Sequence, residues 1–190
     1  MDSLSLQRIA TLHPKLMEKA RMDYEGANGL LGKSVRLRIS YALRSFAEQT
    51  ALYAQGRQPL AEINRLRKIA GMQPIGATEA KNKVTNAQAG SSFHNYALAW
   101  DIVLLYDKNG DGIFEEASWD TVRDGDKDGT SDWLEVTKYL VDRGWTNGFW
   151  TNGKHWDKPH FKYTYGLYIK DLQAKYNSKD FIPGTTYVKI

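Results

Sequence analysis

The sequence predicts one domain that mixes helices with strands, and three observations lead there. Leu6, Ile9, Leu12, Leu16 and Ala20 recur at spacings of three or four, the mark of a helix with one buried face. Val35, Leu37 and Ile39 alternate with Arg36, Arg38 and Ser40, the mark of a half-buried strand. The 190 residues suit a single domain, placed at 1–190, with a sizeable core.

In chain order, residues 4–23 read as helical, and Pro14 either interrupts that helix or starts a second one after Leu12-His13. Residues 26–32, bounded by glycines, read as loop, and 35–40 as the strand just described. Ser45 with Glu48 three residues on has capping-box spacing, so a helix is expected over 45–54, stopped by Gly56. That leaves Arg44 at a strand-to-helix junction. Residues 57–89, with Pro59, Gly71, Pro74 and Gly76, read as irregular around a short helix at 60–69. Residues 97–105 read as an apolar strand carrying Asp101, and 133–143 as an amphipathic helix ending at Gly144. A strand at 161–163 and a last helix at 167–176, with Ile169 and Leu172 buried, complete the chain.

Hydrophobic content of 42% and charged content of 25% are ordinary for a soluble globular protein. The 6 Trp and 11 Tyr are generous, and leave open whether the surplus lines a groove or fills the core. The net charge of +4 is dispersed, with Arg65-Leu66-Arg67-Lys68 its only short cluster. No nucleic-acid motif accompanies it, so nucleic acid is not an expected partner, whereas an anionic polymer would be attracted by the same charge. The absence of cysteine excludes thiolate zinc sites and disulfides. The segment Met1-Asp2-Ser3-Leu4-Ser5-Leu6-Gln7-Arg8 lacks a basic stretch followed by an apolar run, and no segment reaches ~18 apolar residues. Neither a signal peptide nor a membrane span is expected.

The chemistry concentrates in two segments. One is Ser92-Phe93-His94-Asn95-Tyr96-Ala97-Leu98-Ala99-Trp100-Asp101, the other His155-Trp156-Asp157-Lys158-Pro159-His160-Phe161. Two imidazoles and one carboxylate, from His94, Asp101 and His160, suit zinc and leave a fourth position for water or substrate. Asp157, three residues before His160, is a carboxylate close enough in sequence to serve as base for an activated water. The competing reading is that each histidine is a surface residue or a hydrogen-bonded core residue. It is the preferred one for His13, which has no chemical neighbours.

A third cluster is acidic. Asp124-Gly125-Asp126-Lys127-Asp128-Gly129-Thr130-Ser131-Asp132-Trp133-Leu134-Glu135 matches an EF-hand calcium loop. Asp124, Asp126, Asp128, Thr130, Asp132 and Glu135 fall at ligand positions, and Gly129 permits the sharp turn. Asp107, Asn109, Asp111 and Ile113 begin the same pattern, but its last position is Ser118, which cannot bind through two oxygens. That loop stays open between a second calcium site and a solvated turn. Together the loops read as a structural insertion at about 106–136, and calcium signalling is not expected because no hydrophobic target groove is evident.

Ser92, His94, Ala99 and Asp101 resemble the Ser-x-His-x-x-Gly-x-Ala-x-Asp signature of the zinc peptidase family that holds D-Ala-D-Ala carboxypeptidases and L-alanyl-D-glutamate endopeptidases. Trp156-Asp157-Lys158-Pro159-His160-Phe161 resembles its second metal motif. Leu43-Arg44-Ser45, Glu48-Gln49, Leu52-Tyr53 and Gln55-Gly56-Arg57 resemble its upstream arginine segment. The likeness runs from about residue 12 to 172 and is nearest to bacterial cell-wall endopeptidases and phage endolysins. One departure is visible: Ala97 stands where the signature has glycine.

The resemblance implies a small α+β domain whose antiparallel sheet carries zinc in a groove, bound by His94, Asp101 and His160. It implies that Asp157 takes a proton from the attacking water and delivers it to the leaving amine. Arg44 holds the developing oxyanion or a substrate carboxylate, and Ser92, Gln49 and His155 contribute to substrate binding. The expected substrate is the peptidoglycan stem peptide, cut at the L-Ala–D-Glu bond, with D-Ala–D-Ala carboxypeptidase activity as the near alternative. From another class, a non-catalytic, calcium-dependent wall-binding protein is the alternative, which intact zinc ligands oppose. The expected cofactors are zinc and a structural calcium, and the expected state is a monomer. Synthesis in the cytoplasm with action at the cell wall is expected, through a membrane opened by another protein or after removal of an export signal.

Overall fold

The computed structural model describes residues 2–147 and 157–190. The chain groups into two compact units that alternate along the sequence, Met1–Ala42 with Leu98–Tyr163 and Leu43–Ala97 with Thr164–Ile190. Helices and an antiparallel sheet together make up the fold, as the sequence predicts.

The first unit holds helices α1 (Ser3–Ile9) and α2 (Pro14–Leu30) and strands β1 (Val35–Tyr41), β2 (Ala99–Tyr106) and β3 (Glu116–Ser118). Helix α5 (Asp132–Asp142) and strands β4 (Thr146–Asn147) and β5 (His160–Lys162) complete it. The second unit holds α3 (Phe46–Ala54), α4 (Leu60–Ile69), 3-10 turns at Glu79–Lys81 and Phe93–Tyr96, and α6 (Ile169–Asn177).

Strand order is β1-β2-β5-β4, with β3 pairing to the far end of β2. All pairings are antiparallel. The inner strand β2 is apolar because both its faces are covered, and Trp100 stacks on Trp145 with ring centroids 4.1 Å apart. Leu12, Leu16, Ala20, Leu37, Ile39 and Ile102 are fully buried in this unit.

The helix expected at 4–23 is two helices. Pro14 takes the first position of α2, where its missing N–H has no intrahelical partner to lose, and Nδ1 of His13 accepts the Lys15 N–H at 3.2 Å. Of the two ordinary roles open to His13, surface or core, the structure gives it the buried, hydrogen-bonded one. The loop expected at 26–32 is corrected, since α2 continues to Leu30. Tyr139 of α5 lies over Gly26, where a Cβ would come 1.8 Å from its hydroxyl oxygen. Glycine here leaves room for a neighbouring helix, a requirement invisible along the sequence.

In the second unit the Ser45 capping box is present, with Glu48 N–H donating to Ser45 Oγ at 3.1 Å and Ser45 N–H to Glu48 Oε2 at 2.6 Å. Ala54, Ile63 and Ala80 form a small core with Leu66 and Ile75 against it. Phe46 stacks on Tyr176 at 4.5 Å, and Tyr96 meets both rings edge-on. Leu172 is buried as expected, whereas Ile169, at the first position of α6, is only partly covered. Among the described residues no helix is long and apolar enough to cross a membrane.

Candidate active site

Asp101 is the one residue of β2 that is not buried. Antiparallel register sets it directly opposite His160 of β5. Directly opposed residues bring their side chains together, and His160 Nδ1 lies 3.0 Å from Asp101 Oδ1. Their side chains are 20% and 21% exposed, so solvent reaches the pair while most of each is covered. A tetrahedral ion with ligand bonds of ~2.0–2.1 Å sets its donors about 3.3 Å apart, so the separation fits two ligands of one zinc.

The second motif earns its shape from a turn. His160 N–H donates to the Asp157 carbonyl at 3.3 Å, and Ile102 N–H donates to the Pro159 carbonyl at 2.9 Å. Asp157 is thereby tied, through its backbone, to the strand that presents His160. A further residue fixes this segment. Asn147, fully buried in β4, donates through Nδ2 to the carbonyls of Lys158 at 2.8 Å and His160 at 2.9 Å. Nothing in Thr146-Asn147 announces that role, because the partners lie 11 and 13 residues away across a strand pair. His155 lies outside the described residues.

Within the second unit, His94 sits in the 3-10 turn and is 2% exposed. Ser92 caps that turn by accepting the His94 N–H at 3.3 Å, so it fixes the backbone of His94. The His94 carbonyl accepts from Arg44 N–H at 3.1 Å and from Ala97 N–H at 3.2 Å. Asn95 Nδ2 returns a bond to the Arg44 carbonyl at 2.9 Å. The arginine segment and the His94 turn are thus tied together by one backbone bond and one side-chain bond. Arg44 Nη1 donates to Gln49 Oε1 at 3.1 Å, while Gln49 Nε2 is held by the Ala87 carbonyl at 2.6 Å and Thr85 Oγ1 at 3.3 Å. Gln49 is fully buried, so its amide orients the guanidinium of Arg44.

Ala97 explains the departure from glycine. Its φ of 59° and ψ of 31° are left-handed, the conformation for which the signature keeps glycine. That conformation costs about 1–2 kcal/mol for an L side chain. Ala97 is fully buried, and its methyl contributes about 0.8 kcal/mol by leaving water. Burial offsets part of that cost, and the left-handed turn beside His94 is kept with alanine in place.

The acidic loops behave differently from each other. In the loop at 124–135, Asp124, Asp126 and Asp132 bring donor oxygens within 4.8 Å of one another, and so do Asp126, Asp128 and Glu135. In the loop at 107–113, Asp107 accepts Gly110 and Gly112 N–H at 2.8 Å each, and Asp111 Oδ1 accepts Ile113 N–H at 2.8 Å. No such carboxylate group forms there among the described residues. Ser118, its twelfth position, is instead the end of β3, a strand the sequence does not signal.

Burial holds the Glu135 carboxyl up to about 7, with Asp128, Asp126, Asp132 and Asp124 adding repulsion. With no cation bound, folded protein keeps a proton on Glu135 that the unfolded chain releases near 4.5. The resulting stability is present below that value and is lost as pH rises through about 7. Chelator-treated protein is expected to show a falling urea midpoint between about pH 5 and 7.5, and Glu135→Gln to flatten that slope. Equal slopes in the two proteins would remove Glu135 as the cause.

The chain is 35% identical over 153 residues to the peptidoglycan L-alanyl-D-glutamate endopeptidase CwlK of Bacillus subtilis, spanning 80% of this chain and 72% of that protein. This chain belongs to that family. The membership makes it a hydrolase, and two imidazoles with a carboxylate are residue types that suit zinc. A solved structure of the L-Ala D-Glu endopeptidase ChiX of Serratia marcescens aligns with a TM-score of 0.42 and 19% identity, covering 87% of this chain and 90% of that one. No family model matches the peptidase.

Proposed function

We propose that this protein is a zinc-dependent peptidoglycan hydrolase that cuts the L-Ala–D-Glu bond of the stem peptide. The observation that carries the reading is the 35% identity, over 153 residues, to a relative named for that bond. The cross-strand pair of Asp101 and His160 supports it, since the sheet register delivers a carboxylate and an imidazole at co-ligand distance.

His94, Asp101 and His160 would hold the zinc. When bound, zinc supplies Lewis acidity and brings the pKa of a water toward ~7. Asp157 accepts the proton of the attacking water and returns it to the amine that leaves. Arg44, held by Gln49, presents positive charge to the oxyanion that develops or to a substrate carboxylate. Asn147 and Ser92 act through others: they hold the backbones of His160 and His94. The net charge of +4 favours approach to an anionic wall polymer.

Mass spectrometry of fragments released from purified peptidoglycan tests the bond. L-Ala–D-Glu cleavage leaves L-Ala on the glycan and releases peptides with D-Glu at the new amino end. Release of free D-Ala with no such peptides would replace this reading by the carboxypeptidase one. Stoichiometric zinc with no fragments of either kind would favour a wall-binding protein.

A further inference from the structure

We infer that the loop at 124–135 is a calcium site that fastens the insertion to the sheet, with Asp124, Asp126, Asp128, the Thr130 carbonyl, Asp132 and Glu135 around one ion. This inference is independent of the peptidase reading. The carboxylates converge in two groups that share Asp126, each with donor oxygens within 4.8 Å. Convergence alone would describe many acidic turns. The second observation is Asp132, which is fully buried and belongs to the first of those groups. Its Oδ2 accepts from the Tyr106 hydroxyl at 2.8 Å and from Gly125 N–H at 2.9 Å, but its Oδ1 has no hydrogen-bond partner among the described residues. Glu135 Oε2, in the second group, is buried and without a partner in the same way. Burying a carboxylate oxygen without a partner forfeits its hydration with nothing in return, so such atoms call for a cation or a donor.

Loop numbering assigns the roles. Asp124, Asp126 and Asp128 stand at the first, third and fifth positions, Thr130 at the seventh, Asp132 at the ninth and Glu135 at the twelfth. A twelfth-position glutamate can give two oxygens, which raises the count above the six that magnesium accepts and favours calcium. Gly129, at φ 97°, makes the turn that the sixth position requires.

The loop's attachments say what the ion would do. Asp126 Oδ2 accepts Gly32 N–H at 2.7 Å, and Ser34 Oγ donates to the Gly125 carbonyl at 2.9 Å. A Cβ on Gly125 would meet the Tyr106 ring at 2.5 Å, so the loop lies directly on the end of β2. Tyr106 closes the strand that carries Asp101. Calcium therefore braces β1 and β2 at the end remote from Asp101, and its expected effect is on stability.

The test is calcium titration of protein stripped of metal and reloaded with zinc, by calorimetry and thermal melting. One calcium per chain is expected, with the melting temperature raised by about 5–10 °C when calcium exceeds Kd a hundredfold. Magnesium at the same concentration should fall well short. Glu135→Gln and, separately, Asp126→Asn should weaken calcium binding at least tenfold while zinc content stays at the parent's level. No binding heat and an unchanged melting temperature in millimolar calcium would overturn the assignment. So would parental calcium affinity in both variants, which would place the ion elsewhere. Because neither readout involves hydrolysis, failure here is distinguishable from failure of the peptidase reading.

Discussion

His160→Ala is expected to release the zinc and to reduce peptidoglycan hydrolysis to the background of metal-free protein. The substitution takes the donor set from three to two, and a catalytic zinc site already has only three protein ligands. The fold should survive, because the His160 side chain is 20% exposed and its strand is held by backbone bonds and by Asn147. Elemental analysis, hydrolysis and circular dichroism on one preparation separate loss of metal from loss of structure. Chelation of the parent protein should abolish hydrolysis, and added zinc should restore it in the parent but not in the variant. Stoichiometric zinc in a His94→Ala/His160→Ala double variant would show that the ligands are other residues.

That result would test a pairing written in the sequence only as two separate motifs. The motifs name Asp101 and His160, but 59 residues separate them, and only the β2–β5 register sets them face to face. Local signals were legible where local physics decides. Ser45 and Glu48 cap α3 through atoms three residues apart, and the alternation at 35–40 is β1 nearly to its ends. Signals failed where distant packing decides. Gly26 reads as a loop residue, yet its lack of a side chain serves a contact with Tyr139 in another helix. Strand β3 is three residues long and exists because Leu104, Leu105 and Tyr106 offer it a partner. Asn147 carries no pattern at all, since an isolated asparagine becomes informative only when two carbonyls arrive beside it. The acidic loop lies between these cases. Its ligand spacing is local and legible, while the orphaned oxygen of Asp132 depends on Tyr106, 26 residues away.

Asp157→Asn is expected to keep the zinc and lose most of the activity. Asparagine preserves the shape of the side chain but cannot accept a proton from water at neutral pH. The contact that ties this position to His160 uses the Asp157 backbone carbonyl, which the substitution leaves in place. Metal content and the melting curve should therefore match the parent. General bases contribute about 10²–10⁴ in rate, so kcat should fall by that factor, with KM for a stem-peptide substrate changing little. A loss of zinc together with activity would move Asp157 from proton transfer to support of the ligand strand. Activity within about tenfold of the parent at full zinc occupancy would remove it from the base role, because a factor that small is below what a positioned base supplies.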